Sequence, residues 1–195
     1  MNIGIFSGSF NPVHIGHLML ANFITEYTNV DEVWFLVSPQ NPLKMIEKID
    51  VVAENVRYEM LRLAVADFPK MKASDFEFSL PRPSYTVNTL AALKQKFPEH
   101  IFSLIIGGDN WASFDKWKDY QTIINSYKIY IYPRLNSELI IGKESQKDNI
   151  EILHSPIIEV SSTFIRQSIR LHKNLKAFLP EKVYKYIVEN NLYRS

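Results

Sequence analysis

The sequence lacks cysteine, an excess of either charge and any long apolar run. Among its 195 residues there is no cysteine, which excludes disulfide bonds, a thiolate nucleophile and zinc sites built on thiolates. The 22 Lys and Arg residues nearly balance the 21 Asp and Glu residues, leaving a formal net charge of +1. This balance argues against a broad nucleic-acid-binding surface. Since no apolar run approaches the roughly 18 residues of a membrane-spanning helix, we expect neither nucleic acid nor membrane as a partner.

The apolar content that is present fits one folded unit. With 46% hydrophobic residues, a chain of this length can bury one sizeable core. We predict a single domain over residues 1–195, with a C-terminal helical segment from about 162. Met1 leads into a strand rather than into a charged and then apolar leader, so the cytoplasm is the expected compartment. The sequence does not determine an oligomeric state, and a homo-oligomer is left open.

Apolar runs alternate with helical patterns along the chain. The run VWFLV within 31–38 is continuously apolar, which is typical of a strand buried on both faces of a parallel sheet. Further strands are predicted at 1–6, 72–75, 101–106 and 128–132, and helices at 17–29, at 54–67, from Ser84 as N-cap, from Ser161 or Ser162, and near Pro180. This alternation favours an α/β fold. We predict a Rossmann-like doubly wound parallel sheet with helices on both faces.

The stretch GSFNPVHIGH, residues 8–17, joins the first predicted strand to the first predicted helix. Ser7 to Pro12 is predicted as loop, so the loop leads into a helix N-terminus. The first turn of a helix has unpaired N–H groups and about half a positive charge, which favour an anion such as phosphate. Gly8 and Gly16 lack a Cβ that would hold a ligand away from the backbone, and His14 and His17 are spaced to face one way. The predicted ligand is a nucleoside triphosphate.

Two other interpretations of this stretch are open on the residues alone. A metal site on His14 and His17 is one, although the motif contains no Asp or Glu to complete a ligand set. A glycine-containing loop with two surface histidines is the other. The stretch also lacks the GxGxxG spacing of a dinucleotide fingerprint and the GK[ST] ending of a P-loop, so neither of those phosphate-binding turns applies.

Several motifs together resemble a known family. GSFNPVHIGH resembles the G-x-F-x-P-x-H-x-G-H signature of the nucleotidyltransferase superfamily, and SSTFIR at 161–166 resembles its second signature. NPLK ending at Lys44, PSYTVNTL at 83–90 and GGDNW at 107–111 resemble the bacterial nicotinate-nucleotide adenylyltransferases. The resemblance implies transfer of the adenylyl group of ATP to nicotinate mononucleotide, giving deamido-NAD and pyrophosphate by direct in-line attack. It also implies Mg²⁺ bridging the ATP phosphates, with no dedicated metal site on the protein.

The resemblance also implies an ATP site. Its catalytic residues would be His14, His17 and Arg166, with Arg166 and the 161–163 turn holding the leaving pyrophosphate. The full ATP-binding set is Gly8, Ser9, Phe10, His14, Gly16, His17, Gly107, Asp109, Ser161, Ser162, Thr163 and Arg166. From the residues alone, Asp109 at a strand end could accept hydrogen bonds from ribose hydroxyls or cap the next helix. A capped surface helix with exposed arginines is the alternative interpretation of SSTFIRQSIR.

The acceptor site is predicted from Lys44, Tyr85, Thr86, Trp117 and Arg134. By resemblance, Tyr85 and Thr86 border the nicotinate ring, backbone N–H groups receive its carboxylate, and Trp117 stacks on the ring. Taken alone, the three-residue spacing within 111–120 predicts one helical face, and an aromatic stripe of this kind is usually core. Arg134 follows a strand end and is predicted to clamp the mononucleotide phosphate, the alternative being a solvent-facing arginine.

Alternative functions follow from the same motifs. Another small-acceptor adenylyl- or cytidylyltransferase, such as a phosphopantetheine enzyme, would share the ATP site and differ in the acceptor pocket. A non-catalytic regulator that binds ATP or NAD would show no turnover to pyrophosphate. No role is assigned to Arg57, His100, His154 or His172.

Overall fold

A computed structural model of the protein describes residues 1–39, 51–135 and 148–194, and the strands in these ranges form one parallel sheet. The strands are β1 (Asn2–Gly8), β2 (Glu32–Val37), β3 (Met71–Ser74), β4 (Ile101–Gly107), β5 (Lys128–Tyr132) and β6 (Ile150–Ile152). Their order across the sheet is β3-β2-β1-β4-β5-β6, and every neighbouring pair is parallel. This order is that of a Rossmann-like sheet, which confirms the predicted fold class.

The central strands are buried on both faces, as their continuous apolar runs predict. In β1, Ile3 and Ile5 belong to one apolar cluster and Phe6 to the other, because successive side chains of a strand point to opposite faces. Phe6 is paired in register with Phe35 of β2, and Ile5 with Leu104 of β4. The two clusters therefore lie on the two sides of the same sheet.

Helices cover both faces. They are α1 (Ile15–Tyr27), α2 (Glu54–Val65), α3 (Thr86–Lys96), α4 (Gly108–Trp111), α5 (Tyr120–Ser126), α6 (Ser162–Arg170) and α7 (Glu181–Glu189). Apolar side chains of α1, α2, α6 and α7 pack in the cluster that contains Phe6. Those of α3, α4 and α5 pack in the cluster that contains Ile3 and Ile5. Within the described ranges, no helix is long and apolar enough to cross a membrane.

Some predicted boundaries are wrong. β1 continues to Gly8 and α1 begins at Ile15, so the connecting loop is 9–14, which is shifted along the chain from the predicted loop at 7–12. The N-cap of α3 is Tyr85, not Ser84, and the N-cap of α7 is Pro180. Boundaries shift easily because a cap depends on backbone geometry as well as on residue type.

The aromatic segment 111–120 is not one helix. Trp111 ends α4, a short 3₁₀ turn follows at 114–116, and Tyr120 begins α5 after a left-handed Asp119 (φ 50°). A spacing of three residues occurs in 3₁₀ turns as well as in α-helices, so the spacing alone did not separate them. The predicted core role of the segment is confirmed at Trp111 and Phe114, which are buried.

The sheet topology creates a crevice beside β1. This strand lies between β2 and β4, and the helices that follow β1 and β4 pack on opposite faces of the sheet. The chain thus leaves the carboxyl ends of β1 and β4 in opposite directions. In open α/β sheets, ligands bind in the crevice at such a switch point.

Candidate active site

A cleft of about 430 Å³ opens at the carboxyl ends of β1 and β4. Every described residue that was predicted for ATP or acceptor binding lines it except Gly16. The predicted residues that line it are Gly8, Ser9, Phe10, His14, His17, Tyr85, Thr86, Gly107, Asp109, Trp117, Arg134, Ser161, Ser162, Thr163 and Arg166. Gly16 lines a smaller cavity next to His14 and Arg134. Lys44 lies within 40–50, outside the described residues.

The two sides of the cleft come from different parts of the chain. One side consists of the loop at 9–14 and the start of α6, and is called the histidine side. The other consists of residues 84–86 before and within the start of α3, together with residues 116–118, and is called the tryptophan side. The cleft therefore joins the predicted ATP and acceptor residues in one space.

His14 and His17 form a stacked pair at the start of α1. Their ring centroids lie 3.7 Å apart with an angle of 27° between the planes. The backbone N–H of His14 donates a hydrogen bond to Nδ1 of His17 at 3.2 Å. Because Nδ1 of His17 is the acceptor, a neutral His17 carries its proton on Nε2 and can donate from that atom.

His14 is neutral under physiological conditions. Burial, aided by the positive charge of Arg134, lowers the pKa of His14 to about 3. It can therefore donate one hydrogen bond to an anion but adds no charge. Positive charge in the cleft comes instead from other lining residues, namely Arg134, Arg166, Lys116 and Lys118.

The glycines of the first motif make room for neighbouring side chains. A Cβ on Gly16 would lie 3.1 Å from Nδ1 of His14, and one on Gly8 would lie 3.1 Å from the ring of Phe10. Contacts this short would displace the His14 and Phe10 rings. These glycines therefore leave room for protein side chains, whereas the sequence pattern predicted that they allow close approach of a ligand.

Phe10 fixes the middle of the loop in an uncommon conformation. Its φ is 43°, in the left-handed region that bulky residues rarely adopt. The ring is buried and packs edge-on against His17 at 5.1 Å and against Phe6 at 5.7 Å. Backbone strain of this kind persists only where surrounding contacts enforce it, and it occurs often at ligand sites.

The start of α6 is bonded to the loop of the first motif. Ser161 is the N-cap, because its Oγ accepts from the N–H of Phe164 at 3.1 Å. Oγ of Ser162 donates to the carbonyl of Pro12 at 2.8 Å, and Nη1 of Arg166 donates to the carbonyl of Asn11 at 2.8 Å. The two signature motifs, far apart in the sequence, therefore form one bonded unit on the histidine side.

Arg57 and Tyr193 also donate hydrogen bonds to the same loop. Nη1 of Arg57 donates to the carbonyls of Ser9 at 2.7 Å and Ser38 at 2.9 Å, and the side chain is almost completely buried. The hydroxyl of Tyr193 donates to Oδ1 of Asn11 at 2.8 Å. The sequence pattern singled out neither Arg57 nor Tyr193 for a role at the site. The available signal for Arg57 was an arginine among apolar positions of a predicted helix.

Asp109 is exposed and lines the cleft at the end of β4. The N-cap of α4 is Gly107, with Asp109 in the first turn, so the structure does not support the capping role for Asp109. A Cβ on Gly107 would collide with Oδ1 of Asp109 and lie 3.1 Å from the ring of Tyr132. Glycine at 107 therefore allows Asp109 and Tyr132 to approach the same point.

Arg134 lines the cleft beyond β5, and Tyr132 supports it. Nη2 of Arg134 donates to the Tyr132 hydroxyl at 3.3 Å, and the guanidinium carbon lies 5.3 Å from the ring centre. Burial raises the pKa of Tyr132, which stays a neutral phenol. Arg134 is half-buried rather than solvent-facing. Sequence reasoning did not single out Tyr132.

The tryptophan side combines aromatic rings with lysines. Trp117 follows the 3₁₀ turn, packs on Phe114 at a centroid distance of 4.9 Å and lines the cleft. Tyr85 and Thr86 are half-buried at the start of α3. The ammonium of Lys118 lies 4.7 Å from the centre of the Tyr85 ring. No sequence pattern singled out Lys118.

Glu77 is a buried carboxyl between the two sides of the cleft. Its Oε1 accepts from the hydroxyls of Ser7 at 3.0 Å and Thr89 at 3.2 Å, and only 2% of the residue is exposed. Ser7 belongs to β1 and Thr89 to α3, so this carboxyl connects the two elements. Burial raises its pKa above the usual value. Sequence reasoning did not single out Glu77, since a lone Glu in FEFS resembles an exposed residue.

Known proteins match this chain over most or all of its length. The family model described as cytidylyltransferase-like matches residues 5–168. A curated protein of Flavobacterium psychrophilum named "Probable nicotinate-nucleotide adenylyltransferase" is 48% identical over 195 residues, covering 100% of both chains. A protein of the same name from Bacteroides thetaiotaomicron is 49% identical over 189 residues, covering 97% of this chain and 92% of the relative.

Solved structures with the same fold are more distant in sequence. The nicotinic acid mononucleotide adenylyltransferase of Plasmodium falciparum, complexed with NaAD, has a TM-score of 0.81 at 19% identity and covers 98% of this chain and 97% of that one. The same enzyme complexed with APC has a TM-score of 0.79 at 19% identity, with 98% and 96% covered. At this identity the likeness shows the fold alone.

Proposed function

The chain belongs to the cytidylyltransferase-like family and, within it, to the nicotinate-nucleotide adenylyltransferases, and we propose that its cleft carries out their reaction. The reaction transfers the adenylyl group of ATP to nicotinate mononucleotide and releases pyrophosphate, giving deamido-NAD for NAD biosynthesis. The observation that carries the proposal is that the bonded unit of the two signature motifs lines the same cleft as Tyr85 and Trp117. One side suits a triphosphate and the other a planar ring.

The bond changes require little covalent chemistry from the protein. A phosphate oxygen of the mononucleotide attacks the α-phosphorus of ATP and forms a new P–O bond. The bond from the α-phosphorus to the oxygen shared with the β-phosphate breaks, and pyrophosphate leaves with that oxygen and the electron pair. The attacking phosphate is already ionised at neutral pH, so no general base is needed. The protein's tasks are to hold both anions in line and to stabilise developing charge.

His14 and His17 are proposed to act as neutral donors to the α-phosphate. The support is their stacked arrangement, the low pKa of His14, and the hydrogen bond that places the His17 proton on Nε2. A donor that is fixed before substrate binds needs no reorganisation as charge builds on the reacting oxygens. The loop bonds described above provide that fixed position.

Cations that line the cleft are proposed to offset the charge of two phosphates brought together, which would otherwise repel strongly. Arg166, with the 161–163 turn, is assigned to the leaving pyrophosphate, and Arg134 to the mononucleotide phosphate. Both guanidiniums line the cleft. Asp109 is assigned to the adenosine ribose hydroxyls. Lys44 stays a prediction for the acceptor phosphate.

A divalent metal, predicted to be Mg²⁺, fits this site only through ATP. No group of three or more His, Asp or Glu side chains able to hold a metal occurs in the part of the chain that the structure describes. Of the carboxylates there that line the cleft, Glu77 is buried and hydrogen-bonded and Asp109 is exposed. A metal held mainly by phosphate oxygens and water needs no more than this. Mg²⁺ bound with ATP supplies charge neutralisation on the phosphates.

The decisive experiment is pyrophosphate release from ATP and Mg²⁺ with different acceptors. Nicotinate mononucleotide, nicotinamide mononucleotide and phosphopantetheine are compared at equal concentrations. We expect nicotinate mononucleotide to be preferred, with deamido-NAD formed in equal amount to pyrophosphate. Release with phosphopantetheine alone would contradict the acceptor side of the proposal. Binding of ATP without release of pyrophosphate with any acceptor would contradict the enzymatic function itself.

The cytoplasm stays the predicted compartment.

A further inference from the structure

Lys118 occupies an unusual position for a lysine, close to the start of a helix. Its ammonium lies 4.7 Å from the centre of the ring of Tyr85, which is the N-cap residue of α3. The positive end of a helix dipole lies at its N-terminus, so a cation there is unfavourable unless another group offsets it. The face of a tyrosine ring attracts cations and offsets part of that cost.

The start of α3 has no negative group of its own. The phenol of Tyr85 makes no capping hydrogen bond, and the first turn contains no acidic residue. Thr86 of this turn and Lys118 line the same cleft as Trp117. The side chain of Lys118 is exposed toward the cleft and solvent. An anionic group bound here would gain both from the backbone N–H groups and from the ammonium.

We propose that Lys118 is a specificity-determining residue that favours an acid over an amide on the acceptor's ring. This inference rests on the proposed function, because it concerns the acceptor of that reaction. Backbone N–H groups alone discriminate poorly, since they bind an amide oxygen as well as a carboxylate oxygen. A full positive charge above Tyr85 separates the two, because only the carboxylate gains an ion-pair interaction with it.

The expected effect is modest because Lys118 is exposed. Exposed ion pairs typically change an equilibrium by no more than about fivefold. In Lys118→Gln we expect kcat/KM for nicotinate mononucleotide to fall about three- to fivefold, mainly through a higher KM. The values for nicotinamide mononucleotide and for ATP should stay within about twofold of the original. The preference for the acid should therefore fall by the same three- to fivefold.

Two further variants separate charge from packing. Lys118→Arg keeps the cation over the Tyr85 ring and should retain the preference. Lys72→Gln removes a lysine that makes the same type of contact elsewhere, 4.3 Å from the ring of Trp34 on β2, and should leave both acceptors unchanged. The preference should also fall with added salt in the original protein and in Lys118→Arg, and less so in Lys118→Gln.

Different results would contradict the role of Lys118 and the proposed function. An unchanged ratio of the two acceptors in Lys118→Gln, or equal loss with both, would overturn the role of Lys118 while leaving the reaction intact. Absence of turnover with nicotinate mononucleotide in the original protein would overturn the function before any variant is compared.

Discussion

The loop at 9–14 is held by side chains from three other segments of the chain, whereas the described residues of the tryptophan side make few such bonds at the cleft. Arg57 of α2, Ser162 and Arg166 of α6, and Tyr193 after α7 all bond to the loop. On the tryptophan side, Tyr85 lacks a capping hydrogen bond and Lys118 is exposed.

This difference corresponds to what each side has to do. Stabilising charge at a reacting phosphorus depends on donors that are fixed before the reaction, which requires buried and fully bonded support. Recognising a flat ring and one substituent depends on surface and charge, which exposed side chains supply. Changes on the histidine side should therefore affect turnover and stability, and changes on the tryptophan side should affect acceptor choice.

The largest expected effect comes from His17→Ala. Removing one pre-positioned donor should lower kcat by about a hundredfold or more. The pyrophosphate assay measures the loss, and circular dichroism checks that the fold is intact. Met19→Ala, on the same helix at a position 51% exposed, should leave kcat unchanged. A folded His17→Ala protein with the original kcat would break the proposed division between the two sides.

Arg57→Ala tests the support of the histidine side. Truncation would leave the part-buried carbonyl of Ser9 and the buried carbonyl of Ser38 without this donor, at a cost of about 3 kcal/mol in the free energy of unfolding. Urea unfolding measures this, and the KM for ATP should rise because the loop loses an anchor. Arg57→Lys keeps a cationic donor for the carbonyls but loses the hydrogen bond that Nε of Arg57 donates to the carbonyl of Val52, so it should lie between the two proteins.

The matched control is Arg62→Ala on the same helix. Arg62 is exposed and pairs with Glu59 at 2.7 Å on the surface of α2. Removing it should leave unfolding and the KM for ATP unchanged, because exposed pairs contribute little. Equal unfolding midpoints for the Arg57 and Arg62 variants would contradict an anchoring role for Arg57.

The sequence predicted the histidine side better than its supports. Its motifs lie in continuous stretches, and continuous stretches show strand ends, helix starts and glycines directly. The buried strands were predictable for the same reason, as in VWFLV of β2. Arg57 and Glu77 were not, because each is buried by partners distant in the sequence: Ser9 lies 48 residues from Arg57, and Ser7 lies 70 residues from Glu77. A local sequence pattern gives no information about such distant pairs.

Glu77 connects the strand that leads into the histidine side to the helix that begins on the tryptophan side. Its carboxyl accepts from Ser7 below the loop and from Thr89 on the helix that carries Tyr85. Burial raises the pKa of Glu77, so the folded protein keeps this proton to a higher pH than the unfolded chain does. The contribution of this group to stability is then present below its unfolded pKa and is lost as the pH rises through its folded pKa.

Glu77→Gln should remove that pH dependence, the smallest of the expected effects. The amide oxygen can still accept from Ser7 and Thr89, but the side chain no longer titrates. As the pH rises above the ordinary pKa of a glutamate carboxyl, the free energy of unfolding of the original protein should fall relative to that of the variant, because the carboxyl ionises in a buried position. Urea unfolding at a series of pH values measures the difference, with the exposed Glu189→Gln as control. If the original protein instead gained stability relative to Glu77→Gln as the pH rose, the carboxylate would be the favoured form, and the two sides would be joined by a charge rather than by a proton-bearing group.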